Sequence, residues 1–447
     1  MFSNIFRLKK KIYQWLEFVA HSATLQRIVG FLADKKIISK RNKYFNYILN
    51  SNDYFFKRRV AMSGPMSATL NVTNICNYRC KFCEIHYFYK FAKEQSGQVF
   101  ANDLTVAELK QHHDWLKNIF NLELSGATGE PFANPHFLEI VKYLKTTYPG
   151  MILTATTNGS MITEAVADEI IKNKFDFLLF SVHGGNADTY KMLQNGDLHK
   201  ILFTLKMLST KKKQYSARSP RLAINFALHK LNVDSIFNLI DKVKEMELDL
   251  DYIHVQHYYD GRNDMDSVGG GQPISYYFDI EAGNKKLDEI YAYAREKNVA
   301  LYPKKPLYLN VTPPEGGVQQ SCREPWRCFK IKGCVEENGK VYIGVCNRII
   351  LFKLDTQKFY AQGGKFEDIW QHPVLQYLRQ NVGATAICQF CLDPKTVARR
   401  CLNKKEYANL RDQAVQRFFQ ECRAGTATML EIPGLELLER NPYEFSD

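Results

Sequence analysis

From residue 67 to residue 259 the chain alternates between six short β-prone runs and the five amphipathic helical stretches that join them. The β-prone runs are 67–75, 122–130, 152–160, 175–185, 221–230 and 250–259. Helical spacing fills 103–120, 135–150, 164–174, 199–213 and 234–247 between them. Strands joined by crossover helices pair in parallel, because only a long connection brings the chain back to the sheet in the same direction. The class is therefore α/β, with helices covering a parallel sheet. In such sheets ligands bind at the carboxyl ends of the strands. The unusual residues collect there: the cysteines after the first run, then Gly129-Glu130, Asn158-Gly159, Ser181 to His183, and His254 to Tyr258. The Gly-, Asn- and Ser-rich stretch 261–285 reads as a loop or lid over that edge, and 285–302 as a helix leading into a short strand.

The first run ends in "CNYRCKFC", which places Cys76, Cys80 and Cys83 within eight residues. Of the eleven cysteines, no other precedes Cys322. An odd count in a chain of this size points to metal ligation rather than disulfides. Three thiolates do not complete a structural zinc site; His86 is the residue that would close one. Three thiolates on one loop also leave one iron of a [4Fe–4S] cluster without a protein ligand, and an open metal position is where substrate or cofactor binds.

The triplet, with Phe82 just before its last cysteine, resembles the CxxxCxxC signature of the radical SAM superfamily. "SGATGEPFANP" is similar to the family's GGEP segment, with Thr128 in place of the first glycine. "TTNGS" and "SVHGG" fall at positions similar to those that contact the cofactor's carboxylate and ribose. The resemblance covers roughly 65–305 and implies a partial (β/α)6 barrel. It implies that Cys76, Cys80 and Cys83 hold three irons and that S-adenosylmethionine chelates the fourth. Phe82, Gly129, Glu130, Asn158 and Ser181 are the implied cofactor contacts. The implied chemistry is reductive cleavage to a 5′-deoxyadenosyl radical, which takes a hydrogen atom from substrate; the electron comes from an external donor such as flavodoxin or ferredoxin.

A second cysteine region follows. "CREPWRC" begins at Cys322, the hairpin "EENGKVYIGV" leads to Cys346, a capped helix covers "FEDIWQHPVLQYLR", and "CQFC" supplies Cys388 and Cys391. This layout resembles a SPASM or twitch extension, which implies an auxiliary [4Fe–4S] cluster on Cys322, Cys346, Cys388 and Cys391, with Cys328 a rival to Cys322. Eight cysteines would also suffice for two clusters, and the same four thiolates would suit structural zinc. The expected organisation is a basic helical extension over 1–62, the radical SAM core over 63–305, a small α+β cysteine-rich domain over 306–430, and a C-terminal tail over 431–447.

The net charge of +13 is concentrated at the start: residues 1–60 hold thirteen Lys/Arg against three Asp/Glu. With Phe2, Phe6, Tyr13, Trp15 and Phe18 interleaved, this leader can touch a membrane surface or an anionic partner, or pack as a helical extension with its lysines outside. No apolar run is long enough to span a bilayer and the first residues lack a signal-peptide pattern, so the expected location is cytoplasmic. Substrate contacts are expected near the end of the sixth strand, where His254, Gln256 and Tyr258 alternate onto one face. The expected substrate is a small molecule that is oxidised or epimerised, and a basic surface would suit an anionic, sugar or nucleotide-linked one. The leader shows no β-rich peptide-recognition run, yet modification of a ribosomally made peptide stays open. So does a cluster-bearing scaffold without radical chemistry. No nucleic-acid-binding motif is visible.

Overall fold

The computed structural model describes residues 18–19, 22–35, 37, 43–81, 83, 103–124, 129–258, 274–276, 279–309, 322–336, 340–344, 349–392, 404–425 and 430–438. Phe82, His86, Thr128, Cys346 and the first part of the expected lid, up to residue 273, lie outside them.

The chain enters through a helical pair, α1 (Ala23–Asp34) and α2 (Lys43–Phe55). Seven parallel strands follow: β1 (Ser67–Leu70), β2 (Asn121–Glu123), β3 (Ile152–Thr157), β4 (Phe177–Ser181), β5 (Arg221–Leu228), β6 (Tyr252–His257) and β7 (Leu301–Tyr302). Their connections carry α3 (Val106–Gln111), α4 (His113–Leu116), α5 (Phe137–Thr147), α6 (Glu164–Lys172), α7 (Ala187–Gln194), α8 (Leu198–Gln214), α9 (Ser235–Glu245) and α10 (Ile280–Glu296). Local chemistry starts these helices where it should. Thr105 and Glu108 form a reciprocal capping box, and Thr163, Asn186 and Asp197 each cap a helix with a side-chain oxygen.

The strands alternate between a face buried under the helices and a half-buried inner face. β3 shows it plainly, with Leu153, Ala155 and Thr157 buried and Ile152, Thr154 and Thr156 half-buried. The covering helices present apolar stripes at helical spacing, such as Ile236, Leu239, Ile240 and Val243 on α9. Parallel register then lays Ser181, Asn225, His254 and Tyr302 side by side across β4 to β7 on the inner face.

Beyond β7 the chain crosses to the opposite edge. After α11 (Glu324–Arg327), β8 (Cys328–Glu336) pairs in parallel with β1, and β9 (Lys340–Gly344), β10 (Phe352–Asp355) and β11 (Leu435–Leu437) continue antiparallel. The helices of this region are α12 (Thr356–Ala361), α13 (Phe366–Trp370), α14 (Pro373–Gln380), α15 (Ala386–Leu392) and α16 (Lys404–Gly425). The cysteine-rich segment therefore extends the sheet of the partial barrel.

Three expectations about elements change. The helix read over "FEDIWQHPVLQYLR" is two helices, α13 and α14, because His372 is extended at ψ 140° before Pro373, which takes the first helical position. The helix over 103–120 is likewise divided, at His112 between α3 and α4. The lid reading of 261–285 fails at its end: Asp279 caps α10, and Gly283 sits inside that helix where a Cβ would come within 2.7 Å of the Tyr276 side chain. Glycine there serves close packing rather than a loop.

The N-terminal pair is fastened by polar contacts more than by its small core of Val19, Val29, Ile48 and Leu49. The buried Asp53 carboxylate accepts the N–H groups of Met62 and Ser63, at 3.0 and 2.8 Å, and the Ser63 hydroxyl at 2.6 Å. Trp326 Nε1 donates to the Arg58 carbonyl at 3.0 Å and Trp370 Nε1 to that of Ser63 at 2.8 Å. Residues 58–64 are thus held between the N-terminal pair and the C-terminal helices.

Candidate active site

The triplet loop leaves β1 and docks on the C-terminal end of α7. The Lys81 N–H donates to the Leu193 carbonyl at 2.9 Å, and the Cys80 thiol lies 3.8 Å from the Gln194 carbonyl. Tyr78 fixes the loop from below, with its ring so close to Gly196 that any side chain there would meet it at 2.5 Å. Cys76, Cys80 and Cys83 form no disulfide, and each is partly buried. Burial raises the pKa of Cys80 well above the usual thiol value, and the neighbouring Cys83 and Cys76 add to it. Burial raises that of Cys76 as well.

Gly129 and Glu130 close on this loop. Gly129 has φ +94°, and a Cβ would fall 2.2 Å from the Thr73 carbonyl oxygen, so only glycine allows this approach. The Glu130 N–H donates to the Ile75 carbonyl at 2.8 Å. Its side chain is buried and turned toward β3: the Thr157 hydroxyl donates to Oε1 at 2.6 Å and the Asn158 N–H to Oε2 at 2.7 Å. Burial pushes its pKa up to about 7, against hydrogen bonds from Thr157, Asn158 and Phe132 that pull it down. Both carboxylate oxygens therefore serve the joint between strands, and the segment faces the site with its backbone.

Asn158 continues the joint. Its Nδ2 donates to Asn77 Oδ1 at 2.8 Å and lies 4.0 Å from the Cys76 sulfur; its Oδ1 accepts the Ser160 hydroxyl at 2.7 Å. Asn77 Nδ2 donates to the Ser160 hydroxyl at 2.8 Å. Sequence reasoning missed Asn77, Ser160 and Gln194, which act through these contacts. Gln194 is fully buried, accepts the His183 N–H at 2.6 Å and donates to the Ser181 carbonyl at 3.0 Å.

Ser181 is half-buried at the end of β4, in the row with Asn225 and His254. His183 is a satisfied structural histidine: its Nδ1 accepts the Ala227 N–H at 3.0 Å, and burial lowers its pKa to about 4. His254 is half-buried with its ring 5.4 Å from that of Tyr302, and Gln256 follows on the same face. Tyr258 does not join them. It is buried against Ile274, with its ring 5.5 Å from that of His229, because the strand has ended and the chain turns into a satellite core. On the inner row the buried Asn225 Oδ1 has no hydrogen-bond partner among the described residues. An acceptor left open beside Ser181 and His254 suits a ligand that donates.

In the second cysteine region, Cys388 and Cys391 lie three apart on α15. The Cys322 thiol is raised by burial first, then by the nearby Cys388 and Cys391, which places these three in one neighbourhood. Cys328, the rival to Cys322, is buried at the start of β8 with its sulfur 3.1 Å from the Ser67 hydroxyl. Cys422 is buried in the core on α16. Among the described residues, no three His, Cys, Asp or Glu side chains converge on one point as a single ion would need. Soft thiols spaced along a loop, none in a disulfide, suit a polynuclear iron–sulfur cluster that takes one thiolate per iron.

Residues 70–217, which contain the triplet, the Gly129-Glu130 segment, Asn158 and Ser181, match the family described as Radical SAM superfamily. These residues are a radical SAM domain. Radical SAM proteins bind a [4Fe–4S] cluster and S-adenosylmethionine. The chain is similar to an AdoMet-dependent heme synthase of Methanosarcina barkeri, 25% identical over 42% of this chain and 50% of the relative. It is also similar to an S-adenosylmethionine-dependent nucleotide dehydratase of Selenomonas ruminantium, 29% identical over 40% of this chain and 61% of the relative. The chain thus spans about half the length of the curated relatives it matches. A solved structure of Streptococcus suis SuiB bound to S-adenosylmethionine overlays with a TM-score of 0.49 at 15% identity, covering 76% of this chain and 73% of that one.

Proposed function

We propose that the protein is a radical SAM enzyme that abstracts a hydrogen atom from a small, anionic substrate and oxidises or epimerises it. The observation that carries this reading is the hydrogen-bonded joint from Glu130 through Asn158 and Asn77 to the triplet loop, set at the carboxyl ends of the parallel strands. Cys76, Cys80 and Cys83 would hold the cluster. The Gly129-Glu130 backbone, Asn158 and Ser181 would orient S-adenosylmethionine. When bound, these groups supply a 5′-deoxyadenosyl radical. The chain's own part is to fix that edge and to offer the inner row of Asn225, His254 and Gln256 to the substrate. That one relative is named for nucleotide chemistry supports a nucleotide-linked substrate. Flavodoxin or ferredoxin would supply the electron, and the cytoplasm is the proposed location.

The test is production of 5′-deoxyadenosine by anaerobically purified, iron- and sulfide-reconstituted protein with dithionite and S-adenosylmethionine. The wild type is expected to form it, and the Cys76/Cys80/Cys83→Ala variant to form none. Equal product from both would remove the triplet from the chemistry.

We further propose that the C-terminal region is a SPASM or twitch-like domain with one auxiliary [4Fe–4S] cluster. The grouping of Cys322 with Cys388 and Cys391 supports it, with Cys346 as the proposed fourth ligand. Replacing Cys388 and Cys391 together by alanine is expected to lower iron content by about four atoms per chain. Unchanged iron would reject the auxiliary cluster.

A further inference from the structure

The outer surface of the N-terminal helical pair is the feature the proposed chemistry does not use. α1 turns Gln26, Val29 and Gly30 inward. Its outward face carries Ile28 and Phe31, exposed by 49 and 60%, with Phe18 upstream at 65% and Ile37 downstream at 64%. Singly exposed apolar residues are common; four large ones on one short segment are not.

Charge accompanies them. Arg27, Phe31 and Lys35 recur every fourth residue and share one stripe, and the Lys35 ammonium lies 6.0 Å from the Phe31 ring centroid. Of the two described acids in this stretch, Asp53 is buried, which leaves Asp34 facing outward. Thirteen Lys/Arg against three Asp/Glu in residues 1–60 give the whole leader the same sign. A purely acidic protein surface would answer the charge but leave the large apolar side chains in water. An anionic bilayer answers both, with headgroups meeting the cations and the acyl boundary taking the rings.

The geometry points to a peripheral membrane contact: the outward face of α1 lies on an anionic lipid surface, with Phe18, Ile28, Phe31 and Ile37 inserted at the headgroup boundary. No helix among the described residues is long and apolar enough to cross a bilayer, so the attachment is interfacial. The contact positions the enzyme and does not depend on its reaction. Ile28, Phe31, Arg27 and Lys35 are all surface residues, so their replacement leaves the fold in place.

The test is co-sedimentation of the full-length holoprotein with vesicles of phosphatidylcholine alone and of phosphatidylcholine mixed with phosphatidylserine. The wild type is expected to bind the mixed vesicles at least about tenfold better, and to release at about 1 M salt, where screening shortens to about 3 Å. Ile28→Ser with Phe31→Ser, and separately Arg27→Gln with Lys35→Gln, are each expected to weaken binding about tenfold or more at unchanged iron content and melting temperature. Equal binding to both vesicle types would overturn the inference. So would full binding by the Ile28/Phe31 variant, which would reduce the contact to diffuse charge attraction.

Discussion

Leucine at Arg379 is expected to lower the unfolding free energy by about 3–5 kcal/mol, read from urea denaturation of the holoprotein. Arg379 is fully buried on α14. Its Nε donates to the Pro325 carbonyl at 3.1 Å and one terminal nitrogen to Gln371 Oε1 at 3.3 Å, while the guanidinium lies 4.5 Å from the Trp370 ring centroid. Burial lowers its pKa to about 10, with Asp53 pulling the other way, so it stays charged at neutral pH. Asp53 feels the converse: burial raises its pKa, and hydrogen bonds from Ser63 and Met62 and the Arg379 charge oppose that. Removing the cation leaves a carbonyl without its donor and a buried carboxylate without its counter-charge. By contrast, breaking the pair of Lys211 and Asp168, 2.9 Å apart, is expected to change stability far less, because solvent screens the two charges. A loss under about 1 kcal/mol at Arg379 would mean that this buried cation does not fasten the N-terminal pair to the C-terminal helices.

That fastening was hidden in the sequence for a physical reason. In "NYILNSND" nothing local says that Asn50 and Asp53 will be buried. Their partners come from far along the chain; Trp370 and Ser63, which meet at 2.8 Å, are 307 residues apart. The barrel was legible because parallel strands and their helices declare themselves by period. The triplet was legible because its ligand spacing is local. Asn77, Ser160 and Gln194 follow no period, and each matters only through what the fold sets beside it. Tyr258 shows the limit of alternation: the rule that puts His254 and Gln256 on one face holds only while the strand continues. Pro373 was the opposite case, a visible break that ends one helix and starts another.

Alanine at Glu130 is expected to weaken S-adenosylmethionine binding at least about tenfold and to destabilise the fold by about 2–4 kcal/mol. The carboxylate is the shared acceptor for the Thr157 hydroxyl and the Asn158 N–H, and alanine leaves both donors buried beside a cavity. Once Asn158 is loose, its link to Asn77 and the triplet loop loosens too. Glutamine is a gentler change. It can keep an oxygen on the Asn158 N–H and offer its amide to the Thr157 hydroxyl, which turns to accept, so binding should fall only a few-fold. The two variants also separate by pH. Burial raises the pKa of Glu130 from 4.5 to about 7, so the folded protein holds a proton that the unfolded chain releases. Stability from this group is full below about 4.5 and is lost as pH rises toward 7, by roughly 3 kcal/mol at most. Wild-type stability measured against the glutamine variant should therefore fall between pH 5 and 7, and parallel curves would show that the carboxylate is ionised throughout. If alanine removed iron as completely as loss of the three cysteines, Glu130 would be holding the triplet loop itself rather than the edge that receives the cofactor.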